Sequence, residues 1–176
     1  MTLHGLIEHI KYFFVAKSRH GIHSPFVYEF IEKVILIKGT EAKSETYEII
    51  NYQNNPAKLQ LRPKQLSLLK KMISRYEYKK ILHLPADTDS DPLMADILLV
   101  DAEPKVWIRL FNMHLPTLSR EGCIVLTNIH QTKRHTGKWN RLRNHPQVKL
   151  SLDLFSLGIL FFRPEFKEKQ HFVLRF

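Results

Sequence analysis

The fold of this chain is decided by residues 79–101, which read KKILHLPADTDSDPLMADILLVD. Two short apolar runs in this stretch, residues 81–84 and 97–100, are typical of buried parallel strands in an α/β sheet. In such folds the loop after the first strand usually holds a cofactor, and glycines let the backbone approach it. The loop here, residues 85–89, contains no glycine. The stretch therefore predicts an α/β fold without an ordinary cofactor loop.

Length and composition predict one compact domain. The chain has 176 residues, of which 44% are apolar, so it has enough apolar residues for a sizeable core. Its longest apolar run, residues 154–162, is interrupted by Ser156 and is far shorter than the roughly 20 residues of a membrane span. The N-terminus lacks the basic region and cleavage site of a signal peptide. We expect a cytoplasmic protein in which a helical arm, residues 1–60, packs on an α/β core, residues 61–176.

The charge, cysteine and glycine content of the chain favours some classes of function and excludes others. The net charge of +10, from 27 Lys and Arg against 17 Asp and Glu, favours anionic partners without specifying one. The single cysteine, Cys123, lies in an apolar run and is interpreted as a buried small hydrophobe. No two of the six glycines lie within ten residues of each other. This spacing excludes a Walker A loop and the usual dinucleotide fingerprint.

The first helix is predicted over residues 3–17. Its apolar residues recur at helical spacing, at Leu3, Leu6, Ile7, Ile10, Phe13 and Phe14. Such a stripe predicts a helix that packs on the domain or on a second subunit. Membrane-surface binding stays open, but it needs a more strongly basic polar face than these residues supply.

The next segment, residues 19–26, reads RHGIHSPF. Ser24 is a good N-cap and Pro25 a good first helical residue, so a helix is predicted over residues 25–38. Arg19, His20 and His23 suggest a metal or phosphate site. Two histidines three residues apart with no nearby third ligand are weak evidence for zinc. Local hydrogen bonding at the helix entry is the favoured interpretation.

The middle of the chain predicts two further helices and a loop. A weak helix is expected over residues 41–52, and another begins at Pro63. Residues 85–94 contain two prolines and three aspartates, which argues against a crossover helix. The aspartates do not fit a calcium loop, because Pro92 stands where that loop needs glycine. They are interpreted as part of a solvated loop.

The remaining elements complete a three-layer α/β fold. A helix is predicted over residues 104–114, a buried strand over 122–127, and a basic helix or loop after it. Residues 148–154 and 159–163 predict a hairpin around residues 156–158, and residues 171–176 a last strand. Helices followed by alternating strands and helices, then antiparallel strands, predict a mixed sheet between helical layers.

In this order the elements resemble a class I S-adenosylmethionine-dependent methyltransferase. More narrowly, the chain resembles a bacterial branch with an N-terminal helical arm that carries the Arg-His-Gly-x-His-Ser-Pro-Phe motif, here at residues 19–26. Residues 61–84 and 145–176 carry the rest of the likeness. The resemblance implies a Rossmann-like fold with S-adenosylmethionine bound at the carboxyl ends of the strands.

The departures from the family fall on the chemistry. Where the family has Glu-Leu-Gly at the end of its first strand, this chain has His83, Leu84 and Pro85. Proline removes a backbone donor and no flexible backbone replaces it. The two following strands, one of which carries the ribose-binding acid, are missing, so that the first strand is joined to a later one.

Two further family motifs are degenerate in this chain. Asp-Gly-Asn-His is replaced by Asp-Ala-Glu-Pro, which keeps only Asp101. Asp-Asp-Ile-His is replaced by Thr127, Asn128, Ile129 and His130. We therefore expect no metal, no S-adenosylmethionine binding and no catalysis. The predicted function is that of a pseudoenzyme that contacts another copy of itself or an active paralogue, because the lost strands would expose a sheet edge at residues 81–84.

Two alternatives remain open. The first is an active methyltransferase with an atypical S-adenosylmethionine site. The second is a basic nucleic-acid-binding module, because residues 122–152 contain no acidic residue. The candidate contacts are Lys133, Arg134, Lys138, Trp139, Arg141 and Arg143, in which Trp139 would offer a stacking face to a base. A solvated basic face is the simpler interpretation of the same residues.

Overall fold

The computed structural model describes residues 2–37, 48–51, 61–84 and 92–176. The α-helices of this part of the chain are α1 (Leu3–Val15), α2 (Pro25–Phe30), α3 (Pro63–Tyr76), α4 (Trp107–His114) and α5 (Lys133–Arg143). Its strands are β1 (Glu48–Asn51), β2 (Lys80–Leu84), β3 (Ala95–Val100), β4 (Leu118–Thr127), β5 (Leu150–Asp153), β6 (Leu157–Phe161) and β7 (Gln170–Val173). A π-helical segment, Ile31–Ile35, continues α2, and a 3-10 turn, Leu115–Thr117, follows α4.

The strands form one sheet in the order β1-β2-β3-β4-β6-β5-β7. All neighbours are parallel except those of β6, which runs antiparallel to β4 and β5. This is an α/β fold with a mostly parallel sheet, as the apolar runs predict. It is compatible with the Rossmann-like arrangement that the resemblance implies.

Helices cover both faces of the sheet because its strands are apolar on both sides. Ile81 of β2 and Ile97 of β3 belong to one buried cluster, together with residues of α2 and α3. Their neighbours Leu82 and Leu98 belong to a second cluster with Trp107 and residues of α4 and α5. Successive side chains of a strand point to opposite faces, so continuous apolar runs need a helical layer on each.

The N-terminal 60 residues are not helical throughout. Glu48–Asn51 lies within the predicted helix 41–52, but it forms β1 and pairs in parallel with β2, with Ile49 opposite Ile81. Two consecutive β-branched residues, Ile49 and Ile50, favour an extended backbone over a helix. The prediction of a helix is therefore wrong for these four residues. The rest of that segment lies outside the described residues.

The predicted exposed edge at residues 81–84 is also wrong. β1 supplies the backbone partners along β2, from Glu48 opposite Lys80 to Asn51 opposite His83. In the described part of the chain, the edge strand on this side of the sheet is therefore β1 and not β2. Sequence spacing could not reveal this, because β1 and β2 are separated by α3 and pair only in the folded chain.

The C-terminal half agrees with the predicted elements. The hairpin β5–β6, the strand β4 and the helix α4 are confirmed, although β4 begins at Leu118 and α4 at Trp107. β7 pairs with β5 in parallel. Cys123 is fully buried, and burial raises the pKa of its thiol to about 12, which confirms its role as a small core residue. The loop prediction for residues 85–91 concerns residues outside the described ranges.

Helix α1 packs on the domain through its polar side. Gly5 is the buried residue of this helix, whereas the predicted core stripe is exposed, from 42% at Leu6 to 80% at Phe14. The expectation that this stripe packs on the domain is wrong, whereas packing on a second subunit stays a prediction. Within the described ranges no helix is both long enough and apolar enough to cross a membrane.

Candidate functional site

The carboxyl ends of β2, β3 and β4 bring together most of the predicted cofactor positions. His83 and Leu84 end β2, Asp101 follows β3, and Thr127 ends β4. The register places Leu84 beside Val100, and Val100 beside Leu126, so these ends lie side by side. Pro85, the residue that replaces the family glycine, lies outside the described residues.

Asp101 is held by its neighbours. Thr127 Oγ1 donates a hydrogen bond of 2.6 Å to Asp101 Oδ1, and the backbone N–H of Asp101 donates to Leu84 O at 2.9 Å. The cleft beside them, which we call the strand-end cleft, has a volume of about 170 Å³. Its lining consists of Asp101, Ala102, Glu103, Thr127, Asn128, Gln131 and His135. Asp101, the acid that the resemblance predicts at this edge, is therefore engaged within the chain.

His83 is a core histidine. It is 1% exposed, and burial lowers the pKa of its imidazole, while the nearby Asp101 carboxylate opposes that shift. Since burial is the larger cause, the ring is neutral at pH 7. His83 therefore brings no positive charge to the strand-end cleft.

His130 belongs to a second cluster, built around Asp153. His130 Nε2 lies 2.7 Å from Asp153 Oδ2, and the same oxygen accepts a hydrogen bond from Trp139 Nε1 at 3.1 Å. The other oxygen, Asp153 Oδ1, accepts from the backbone N–H of Phe155 at 2.9 Å. Asp153 is 5% exposed and each of its oxygens has a partner. A buried carboxylate is stabilised by hydrogen bonds of this kind.

Side chains on the polar side of α1 lie next to His130. Its Nδ1 lies 3.2 Å from Thr136 Oγ1, which is 3.0 Å from His4 Nε2, and Glu8 Oε2 is 3.9 Å from Nδ1. The ring also stacks on Phe155, with 5.6 Å between centroids. Both ring nitrogens of His130 and one face of its ring are therefore in contact with the chain.

Sequence reasoning missed Asp153 as a member of this cluster. A lone carboxylate at the end of an apolar strand is the available signal, because a buried acid needs partners. Trp139 comes from α5 and His130 from the loop before it, so these two partners reach Asp153 only in the folded chain.

A larger cleft opens between α1 and the carboxyl ends of β4 and β5. We call it the arm cleft; its volume is about 480 Å³, within the usual range for small-molecule sites. Its lining consists of Thr2, Gly5, Arg62, Asn128, His130, Gln131, Phe155 and Ser156. Asn128 and Phe155 have φ angles of 55° and 62°, a left-handed conformation that is uncommon for a bulky residue such as Phe155.

The basic segment forms helix α5 and divides into two faces. Lys133, Arg134 and Arg141 are exposed, and Lys138 and Arg143 are half-buried. Arg134, Lys138 and Arg141 follow i, i+4, i+7 spacing, which places them on one face. Any anionic partner of α5 would meet this face.

Trp139 is not available to stack on a base. It is fully buried, and a Cβ added at Gly158 would lie 2.6 Å from its ring. The prediction of a stacking face is therefore wrong. Trp139 lies with His135 and Leu142 on the side of α5 that packs on the sheet, where an aromatic ring contributes most to burial.

Arg19, His20 and His23 are exposed at the entry to α2. Arg19 Nη1 donates to Glu32 Oε1 at 3.3 Å, and Gly21 has a φ of 81°. Ser24 occupies the N-cap position of α2 without a side-chain capping bond. Among the described residues, no group of three or more His, Cys, Asp or Glu is arranged to hold a metal ion.

Comparison of the chain with known proteins finds no matching family model, no matching curated protein and no matching solved structure. The resemblance to methyltransferases therefore stays a prediction.

Proposed function

We propose that this protein is a shortened methyltransferase-like protein without S-adenosylmethionine binding or methyl transfer, which acts by contact with another copy of itself or with an active paralogue. The observation that carries the proposal is the strand-end cleft. Its volume of about 170 Å³ is below the roughly 300 Å³ at which small-molecule sites begin. The arm cleft reaches that size, but neither His83 nor Asp101 lines it.

The chemistry of the cleft supports the same conclusion. Methyl transfer is an in-line displacement, in which an enzyme mainly positions the donor and the nucleophile. Asp101 is already hydrogen-bonded to Thr127, and the neutral His83 is buried. Neither side chain is poised to orient a cofactor.

Calorimetry with S-adenosylmethionine tests the loss of cofactor binding. We expect no saturable heat up to a ligand concentration of about 1 mM, which corresponds to less than about 4 kcal/mol of binding free energy. Micromolar binding would contradict the proposal and favour the alternative, an active methyltransferase with an atypical site. In that case Asp101→Ala should weaken the binding, because Asp101 is the acid at the strand ends.

Contact with another copy is supported by the edge of the sheet. In the described part of the chain, β1 pairs with β2 on one side only. An edge strand presents backbone groups that can pair with a second chain. Light scattering should show a dimer that dissociates on dilution. A monomer at every concentration, together with no co-elution with a paralogous methyltransferase, would contradict this part of the proposal.

The exposed basic face of α5 supports a second candidate, binding of nucleic acid. Arg134, Lys138 and Arg141 share that face, and residues 122–152 contain no carboxylate to compete with phosphate. Since Trp139 is buried, the contacts would be to the backbone and independent of base sequence. Three phosphate contacts predict that affinity for single-stranded RNA falls about 20-fold between about 50 and 200 mM salt.

Fluorescence anisotropy with a labelled single-stranded RNA tests the second candidate. The double variant Arg134→Glu and Arg141→Glu should abolish binding and its salt dependence. The control variant carries Lys105→Glu and Lys167→Glu, two exposed lysines outside α5, and gives the same change in net charge. Equal loss in both variants would show that net charge alone attracts the RNA.

A further inference from the structure

Helix α1 presents a continuous apolar surface to solvent. Leu3, Ile10, Phe13 and Phe14 are between 52% and 80% exposed, and Leu6 and Ile7 are more than 40% exposed. We call these six side chains the α1 stripe. From Leu3 to Phe14 the stripe is about 17 Å long, at 1.5 Å per helical residue. Single exposed apolar residues need no explanation, but a contiguous row of six large ones marks an interaction surface.

Contacts near both ends of α1 fix the orientation of the helix on the domain. At its start, His4 Nε2 lies 3.0 Å from Thr136 Oγ1, and Gly5 is buried. At its end, the Tyr12 hydroxyl donates to Leu174 O and accepts from the backbone N–H of Phe176 at 3.1 Å. Rotating the helix to bury the stripe would break these contacts. The stripe therefore faces outward as a consequence of the fold.

Positive side chains lie at the carboxyl end of the stripe. Arg175 is exposed, with its guanidinium carbon 5.7 Å from the centre of the Phe13 ring, and its Nε donates to Ala16 O at 3.2 Å. Lys17, which comes directly after the C-cap residue Ala16 of α1, is also exposed. The one carboxylate of α1, Glu8, is turned inward with 15% of its side chain exposed and is paired with Lys11 at 2.8 Å. The exposed side of α1 is therefore apolar and cationic.

From this arrangement we infer that α1 docks on an anionic lipid surface. The α1 stripe enters the boundary between headgroups and acyl chains, and Lys17 and Arg175 lie among the anionic headgroups. A helix with one apolar face and neighbouring cations binds such a surface in the interfacial plane. The polar face of α1 packs on the domain. The cations are therefore supplied by Lys17, which follows the helix, and by Arg175 near the C-terminus. This inference is independent of the proposed loss of S-adenosylmethionine binding.

A lipid surface fits the charges better than a second copy does. A symmetric pair built on the α1 stripe would place the Lys17 and Arg175 side chains of both copies in one interface. Like charges brought together at an interface disfavour association. An anionic lipid surface attracts the same charges.

Flotation of the full chain with lipid vesicles tests the inference. The vesicles consist of phosphatidylcholine, with or without about one-third phosphatidylserine. We expect binding to the phosphatidylserine vesicles at about 0.1 M salt, strongly weakened at about 0.5 M, and little binding to phosphatidylcholine alone. Equal binding to both kinds of vesicle would overturn the role given to Lys17 and Arg175.

Two pairs of variants separate the contributions. Phe13→Ser with Phe14→Ser should weaken vesicle binding by about 100-fold through lost apolar burial. Lys17→Glu with Arg175→Glu should weaken binding to phosphatidylserine by at least about 25-fold. Met94→Ser is the control for the first pair, since Met94 is 68% exposed outside α1. Lys105→Glu with Lys167→Glu is the charge-matched control for the second pair, and both controls should bind as the parent chain does.

Three other outcomes would also overturn the inference. The first is no binding to either kind of vesicle by a folded parent chain. The second is vesicle binding that survives the paired Phe13 and Phe14 substitutions. The third is a dimer in light scattering that those substitutions convert to a monomer, without vesicle binding in the parent, which would assign the α1 stripe to a second copy. Circular dichroism confirms that each variant is folded.

Discussion

At the scale of single residues, Trp139 occupies the space that a side chain at position 158 of β6 would need. Trp139 is fully buried, and its indole N–H donates a hydrogen bond to Asp153 that fixes the position of the ring. The closest ring atoms lie 2.6 Å from the position of a Cβ at Gly158. Glycine is therefore required here by close approach.

Gly158→Ala should lower the free energy of unfolding by about 1–3 kcal/mol, the usual cost of overpacking a core. Urea denaturation measures the change as a lower midpoint. Gly137→Ala is the matched control, because a Cβ at Gly137 meets nothing within 4 Å on helix α5. That control should raise stability by up to about 1 kcal/mol through helix propensity. Equal midpoints for the two variants would contradict the contact with Trp139.

Asp153→Ala should cost about 3 kcal/mol, because it leaves the indole N–H of Trp139 and the backbone N–H of Phe155 without their acceptor. Asp153→Asn keeps one acceptor oxygen in place and should cost less. The two free energies of unfolding are compared by urea denaturation. An equal cost for both variants would show that the negative charge, and not the accepted hydrogen bonds, matters at this position.

At the scale of elements, α1 is the helix whose position periodicity does not predict. The spacing of the α1 stripe is that of a core-facing helix, yet His4, Gly5 and Tyr12 contact the domain instead. An amphipathic pattern reports that one face is apolar. Which face packs inward depends on the groups that the rest of the fold offers.

The inverted packing of α1 predicts a clear contrast between two leucines. Leu3→Ala, at a residue 75% exposed, should change the free energy of unfolding by less than about 0.5 kcal/mol. Leu142→Ala, at a residue 1% exposed on α5, should cost about 2–5 kcal/mol. Denaturation at low protein concentration in the absence of lipid makes the comparison. A large cost at Leu3 would mean that the stripe is buried within the monomer.

At the scale of the whole molecule, buried histidines make stability depend on pH. Burial is the largest cause that lowers the pKa of His83, His114 and His135 below the ordinary value. His114 is 1% exposed, and neither of its ring nitrogens has a hydrogen-bond partner among the described residues. Because these rings take up protons more readily in the unfolded chain, their contribution to stability is complete above about pH 6.5 and is lost as pH falls below it.

Urea denaturation between pH 8 and pH 5 should therefore show a falling midpoint below about pH 6.5. His114→Leu removes one of the buried rings. The free energy of unfolding should then depend less steeply on pH, by up to about 1.4 kcal/mol per pH unit, which corresponds to the uptake of one proton. His20→Leu, at an exposed histidine, is the control and should leave the slope unchanged. A midpoint that rises on acidification would contradict the assignment.

Part of the candidate site was predictable, and part was not. His83, Asp101 and Thr127 meet at adjacent strand ends because they follow recognisable apolar runs, and parallel strands end at the same edge of a sheet. Asp153 and the burial of Trp139 were not predictable. Each depends on α5 packing against the paired residues Asp153 and Gly158 of the β5–β6 hairpin, a long-range arrangement that no local pattern encodes.

The sequence by itself determined the α/β class, the strands at residues 81–84 and 97–100, the hairpin β5–β6 and most helix positions. Those features follow from local periodicity and from turn and cap residues, whose effects act within a few positions of the chain. Only the tertiary structure decided that residues 48–51 form β1 beside β2, that β6 lies between β4 and β5, and that α1 turns its apolar stripe to solvent. The physical reason is that a pattern states how apolar a face is, while its partner is chosen by contacts between residues distant in sequence.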